Sequence, residues 1–234
     1  MKASCAYPEL LDIALLDGLP LQVRSDFLDR CKLRYCSEQT TILTQSEHTS
    51  GLFIIARGRV AVTYLGPDGH MSVIHVAMTG EVLGDTEALA AAPCAATCTT
   101  LPDTTLLYCP TSHLVELAQS PVVLRNLARI LLERLRRDNH YRVLERFQSI
   151  EERLCSYLRQ FSTPQDPLIR MSQTQLATLL GCSRQKVNRM LNLLQDSGVV
   201  DLGRSRIRVL DRDELERREY ERRERDLTEP RRAG

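Results

Sequence analysis

The chain has 234 residues, 43% hydrophobic and 26% charged, with a formal net charge of +1 and eight cysteines. It has room for two separate cores and no apolar run of the roughly eighteen residues a membrane span needs. It is also too long and too poor in cysteine for a secreted disulfide scaffold, so reduced thiols and a cytoplasmic setting are expected.

Charge is unevenly spread along the chain. Residues 1–120 carry seven Lys/Arg against thirteen Asp/Glu, and residues 170–210 carry seven against two. Any polyanion footprint is therefore confined to the later block. The opening, MKASCAYPELLDIALLDGLP, has early acids and no long apolar core, so it does not read as a secretory signal. From Phe27 to about Leu107, short alternating runs predict strands at Thr41–Leu43, Leu52–Ala56, Arg59–Leu65 and Met71–Ala77. Gly58, Gly66-Pro67-Asp68-Gly69 and Thr79-Gly80 punctuate them. Such spacing indicates a small all-β sandwich or jelly-roll barrel. A long helix follows from about Ser120 through Arg146, with Pro121 in its first turn and Leu124, Leu127, Leu131 and Leu135 at spacings of three and four.

In Met171–Val209, Ser172 and Gln175 form a capping-box pattern, and Leu176, Leu179 and Leu180 make one apolar face. Gly181 supplies a turn, and Ser183 caps a second helix whose inward positions are Val187, Met190, Leu191 and Leu194. Arg184, Gln185, Asn188 and Arg189 face the other way within its first two turns, where a helix-turn-helix reads bases. Val199–Leu202 and Arg206–Leu210 alternate around Gly203-Arg204-Ser205, which puts Arg204, Arg206 and Arg208 on a short wing suited to phosphate. The whole reads as a winged helix-turn-helix that binds double-stranded DNA. The plainer alternative is a helix pair with a solvated charged face.

From about Asp213 an exposed charged helix is expected, with Glu214–Arg218 and Glu219–Arg223 pairs and an end at Pro230. It has too few apolar residues for a core stripe, so a solvated, partly disordered tail is expected in preference to a partner contact or an extra DNA arm. There is no P-loop, HExxH, G-x-S-x-G or strand-linked GxGxxG, and no enzymatic activity is expected. His48, His70, His75, His113 and His140 each stand alone, so neither a metal nor a cofactor is expected.

A barrel, a long helix and a winged helix-turn-helix in that order resemble the cyclic-AMP receptor protein/fumarate-nitrate reduction (CRP/FNR) regulators, over nearly the full length. LFIIARGRVAVTYLGPDGH is similar to the family's strand–glycine–strand run before the ligand pocket. TGEVLGDTEAL resembles its phosphate-binding segment, and GCSRQKVNRML its recognition helix. The resemblance implies an α+β chain with a cyclic-nucleotide-binding-like jelly-roll sensor domain over 1–120 and a dimerisation helix over 121–147. A winged helix-turn-helix would then occupy 148–212 and a charged tail 213–234. It also implies a homodimer paired through Leu124, Leu127, Leu131 and Leu135, and contact with RNA polymerase if the protein activates. Recognition helices would lie in successive major grooves of a near-palindromic site. The DNA-facing set is Ser172, Ser183, Arg184, Gln185, Asn188, Arg189, Arg204 and Arg206.

The pocket departs from the family pattern. Cyclic-AMP-binding members carry Gly-Glu and, further on, Arg-Ser or Arg-Thr. Here Gly84 precedes Asp85, and the arginine position falls on Cys94 or Ala95. A buried phosphate without its guanidinium loses a charge-assisted bidentate contact, on the order of several kcal/mol. The Thr-Ser pair placed against the adenine corresponds to Asp138-Asn139, which adds repulsion toward an anion. Cyclic AMP is therefore expected to be a poor ligand. Three readings stay open: another small molecule such as cyclic-di-GMP, redox or metal sensing through cysteine, or no signal at all. The N-terminal cysteine cluster of an iron–sulfur member is absent, since only Cys5 precedes Cys31. Cys94 and Cys98 flank the vacated arginine position, and Cys31 and Cys36 are five apart. The plainer reading of all eight is as compact hydrophobes. The sharper one is a redox switch centred on Cys94.

Overall fold

The structure, a computed structural model, describes residues 2 to 219 apart from 68, 70, 146–148 and 165; the side chains of 139–145 and 178 also lie outside the described set. Contacts divide the chain into two units, residues 1–69 with 73–140, and residues 70–72 with 141 onward.

The first unit opens with α1 (Ala3–Ala6) and α2 (Leu21–Asp29), followed by β1 (Lys32–Cys36), β2 (Thr41–Leu43), β3 (Gly51–Arg57), β4 (Arg59–Leu65), β5 (Met71–Met78) and β6 (Val82–Leu83). Then come α3 (Asp85–Ala90), β7 (Thr97–Thr100), β8 (Thr104–Pro110), α4 (Thr111–Leu117) and the long α5 (Pro121–Glu145). The strands form two four-stranded sheets in the orders β1-β8-β3-β6 and β2-β7-β4-β5. The four strands expected from the alternation are β2 to β5, within a residue at each end.

Strand β3 shows why this packing follows from sequence. Its near-continuous apolar run is buried on both faces, and the two-residue period deals alternate side chains to different cores. Leu52, Ile54 and Ala56 join the helix-side cluster with Leu10, Leu16, Phe27 and Leu28, while Phe53 and Ile55 join the inter-sheet cluster with Leu43, Val60, Val62 and Cys98. Gly58 makes the β3–β4 reversal at φ +92°, where a Cβ would meet the Thr104 Oγ1 at 2.6 Å. Only glycine fits there.

On α5, Val123 and Leu127 are buried in the helix-side cluster, and the Asn126 Nδ2 donates to the carbonyls of Leu15 (3.1 Å) and Asp17 (2.7 Å). This corrects the expected seam. Leu127, only 6% exposed, is committed to the unit's own core, whereas Leu124, Leu131 and Leu135 are 53%, 43% and 56% exposed. With the exposed Ala128 they make a stripe at four-three-four spacing.

The second unit holds α6 (Ile150–Gln160), β9 (Leu168–Ile169), α7 (Gln173–Leu180), α8 (Arg184–Asp196), β10 (Val200–Gly203) and β11 (Arg206–Val209), with strand order β10-β11-β9. Ser149 and Glu152 close the start of α6 in a reciprocal capping box. Residues 212–219 are helical and partly packed, which corrects the expectation of a solvated tail over that stretch. Leu215 is fully buried and Arg159 pairs with Glu216 (2.5 Å) and Glu219 (3.1 Å). Arg212 Nη1 donates to the carbonyls of Arg159 (2.9 Å) and Ser162 (2.7 Å), serving acceptors that the end of α6 leaves free. The Glu214–Arg218 pair is present at 2.8 Å, while Glu219–Arg223 and Pro230 involve positions outside the described residues. No helix among the described residues is long and apolar enough to cross a membrane.

Candidate nucleic-acid interface and barrel pocket

The helix pair is built by its caps. The Ser172 N–H donates to Gln175 Oε1 (2.8 Å), and the Gln175 N–H donates to Ser172 Oγ (3.2 Å). The Lys186 N–H donates to Ser183 Oγ (3.3 Å), which starts α8 where the sequence predicts. Val187, Met190, Leu191 and Leu194 are buried, and Arg184, Gln185, Lys186, Asn188 and Arg189 are exposed. In the wing, Val200 opposes Val209 and Leu202 opposes Ile207 on the packed face. Asp201 opposes Arg208, while Arg204 and Arg206 lie exposed at the tip.

One contact is not legible from spacing. The Gln173 Nε2 donates to Asn188 Oδ1 at 3.0 Å, joining α7 to α8. It occupies the amide's acceptor and leaves the Asn188 NH2 group as the outward-facing end.

In the first unit, Gly84 has φ +78°, and a Cβ there would lie 3.1 Å from Leu43 and 3.2 Å from the Gly51 carbonyl. That left-handed turn starts α3 and places Asp85 in full burial. The partner of Asp85 comes from α5: Arg134 Nη2 lies 2.9 Å from Asp85 Oδ1 and donates to the Val82 carbonyl at 2.5 Å. Asp85 Oδ2 has no hydrogen-bond partner among the described residues. Three residues on, Arg137 Nη1 is 2.9 Å from His75 Nε2, which is 2.7 Å from Glu81 Oε2. Burial pushes the Glu81 carboxyl up, but His75, the Met78 N–H and Arg137 together outweigh it and hold it below the usual range. Asp138 Oδ1 is 4.0 Å from Arg137 Nε, and the Asn139 side chain is outside the described set.

The vacated arginine position is acidic. Cys94 is buried and Ala95 exposed, and the Ala95 N–H already donates to Glu87 Oε1 at 3.4 Å. Burial, then the Glu87 and Glu47 carboxylates, push the Cys94 thiol up. Burial pushes Cys98 up to about 12. Neither Cys94 nor Ala95 offers a cation to a cyclic phosphate. Nor do they suit a redox switch centred on Cys94, since reactive thiols sit in electropositive, accessible surroundings.

Comparison with known proteins accords with both units. Residues 33–120 match the cyclic nucleotide-binding domain and residues 152–218 the Crp-like helix-turn-helix domain. The cyclic AMP receptor protein of Thermus thermophilus is 30% identical over 172 residues, covering 72% of this chain and 79% of that protein. A CRP-like cAMP-activated global transcriptional regulator of Mycobacterium tuberculosis is 25% identical over 187 residues, covering 76% and 84%. The crystal structure of a CRP-family transcriptional regulator from Thermus thermophilus superposes with a TM-score of 0.64 at 22% identity, covering 80% of this chain and 96% of that one.

Proposed function

The chain belongs to the CRP/FNR family of transcription regulators, and from that membership we propose that it acts as a homodimer on a near-palindromic DNA site without requiring cyclic AMP. The observation that carries the DNA reading is the exposed polar start of α8, with Arg184, Gln185, Asn188 and Arg189 opposite a fully packed apolar face. Arginine and amide side chains at the head of a second helix are the groups that read base edges. Arg204 and Arg206 on the wing would hold phosphates and fix the register.

In a homodimer paired through Leu124, Ala128, Leu131 and Leu135, the two half-sites would be centred about 34–36 Å apart, one turn of DNA. Independence from cyclic AMP is supported by Asp85 being neutralised within the protein by Arg134, and by the carboxylates around Cys94 and Ala95. A cytoplasmic location accords with this role, and contact with RNA polymerase would accompany it if the protein activates.

The test is selection from random-sequence DNA by the full chain without nucleotide. A near-palindrome enriched in both half-sites is expected. Enrichment of no sequence, with the protein folded, overturns the reading.

A further inference from the structure

The first unit brings together two thiols that lie far apart in sequence. Strands β1 and β8 pair antiparallel, with Lys32 opposite Tyr108 and Leu33 opposite Leu107. Carried one residue beyond the ladder's last pair, the same register would set Cys31, a bend residue just outside β1, opposite Cys109. Directly opposed residues in an antiparallel pair have Cα atoms about 4.5–5.5 Å apart, inside the window of about 4.4–6.8 Å that a disulfide accepts. Both side chains lie against the helix-side core, Cys109 fully buried and Cys31 partly so. Both are free thiols, donating to the carbonyls of Pro110 (3.6 Å) and Phe27 (3.3 Å) respectively.

We propose that Cys31 and Cys109 are a redox-active dithiol that a hydroperoxide closes into a cross-strand disulfide. The electrostatics of the pair favour it. The thiol–thiol interaction holds Cys109 below its ordinary value and, together with burial, pushes Cys31 up. Arg30, held by Glu116 at 3.0 and 2.7 Å, lowers both. The pair thus carries its first negative charge jointly, and a proton shift to Cys109 leaves the thiolate on Cys31, the less buried residue of the two.

That sulfur attacks the peroxide oxygen. The O–O bond breaks, the alcohol leaves after taking a proton, and Cys31 becomes a sulfenic acid. Cys109 sulfur then attacks Cys31 Sγ. The S–S bond forms as the S–O bond breaks, and hydroxide leaves as water with the Cys109 proton. Two thiols and one hydroperoxide give one disulfide, one alcohol and one water. Cys36 faces the inter-sheet core instead, and Cys94 and Cys98 lie beside the Glu87 carboxylate, where Cys31 and Cys109 have Arg30.

The test treats the reduced full-length protein with hydrogen peroxide, unfolds it in denaturant containing N-ethylmaleimide to block remaining thiols, and maps disulfide-linked peptides by mass spectrometry. One disulfide joining Cys31 to Cys109 is expected, with two alkylatable thiols lost per chain. Cys109→Ser and Cys109→Ala, checked for folding by circular dichroism, should stop at a Cys31 sulfenic acid that dimedone traps. A Cys31→Ser variant should lose the disulfide. Both thiols still alkylated when peroxide-treated protein is unfolded overturns the proposal, and so does a disulfide joining any other pair.

Discussion

Arg184 and Arg189 lie exposed in the first two turns of α8, and a guanidinium so placed would meet guanine O6 and N7 as a matched fork. Each such pair discriminates by about 1–3 kcal/mol. Arg184→Ala or Arg189→Ala should therefore relax base preference at one position per half-site, as read by repeated selection. Arg206→Ala should lower affinity for every sequence alike and flatten the salt dependence by about one phosphate's worth. Specificity unchanged in the two α8 variants would remove their assignment as base readers. Gln185 stands where the family usually has glutamate, and an amide donates as well as accepts, with adenine as its best bidentate partner. Gln185→Glu should sharpen preference for a G·C pair at the position it faces. Gln173 acts through its neighbour: it holds the Asn188 carbonyl at 3.0 Å and turns the NH2 donors outward. Gln173→Ala frees that amide to turn over, so selection should show altered preference only at the base facing Asn188.

Helix α5 carries two apolar stripes, one packed and one exposed. Val123, Leu127 and Ile130 pack into the barrel's own core, while Leu124, Leu131 and Leu135 face outward. Leu127→Ala should cost about 2–5 kcal/mol through the cavity it leaves, lowering the thermal midpoint without changing oligomeric state. Leu131→Glu should do the reverse, giving monomers by light scattering with a nearly unchanged midpoint and much weaker DNA binding, since two half-sites are no longer engaged together. A wild-type monomer at micromolar concentration would contradict the seam. The division between stripes was not legible because both recur at three and four residues, and period alone does not say which face meets the barrel. Strands β2 to β5 were legible from apolar alternation and turn residues. Strand β7, Thr97–Thr100, was not, because TCTT shows no apolar alternation. The helix over 212–219 was read as solvated because it offers one buried leucine, Leu215, and otherwise packs through the ion pairs of Arg159. The recognition helix was the most legible element, since cap, apolar face and polar face coincide in one short segment.

At the scale of the whole molecule, the question is what sets the balance between DNA-competent and idle states. Arg134 reaches Asp85 across 49 positions of sequence, a distance that hid it from any local motif. Arg134 at the head of α3 is engaged by Asp85, and Glu87 and Glu47 add negative charge beside Cys94. Arg134→Ala should strand a buried carboxylate and cost about 3–5 kcal/mol, visible as a lowered denaturation midpoint. A cyclic nucleotide would have to take Arg134 from Asp85 and still seat its phosphate among carboxylates. A ligand shifts a conformational balance only by its differential affinity for the two states, and a switch from 1:99 to 99:1 needs about 5.5 kcal/mol of it. A pocket that holds the nucleotide weakly supplies little of that. DNA titration of reduced, nucleotide-free protein should therefore give the same midpoint with and without millimolar cyclic AMP. Binding that emerges only when cyclic AMP is added would overturn the argument from Asp85 and Arg134. Binding absent in both titrations would transfer control to another signal, and the same titration after peroxide treatment would then show whether closing Cys31 onto Cys109 supplies it.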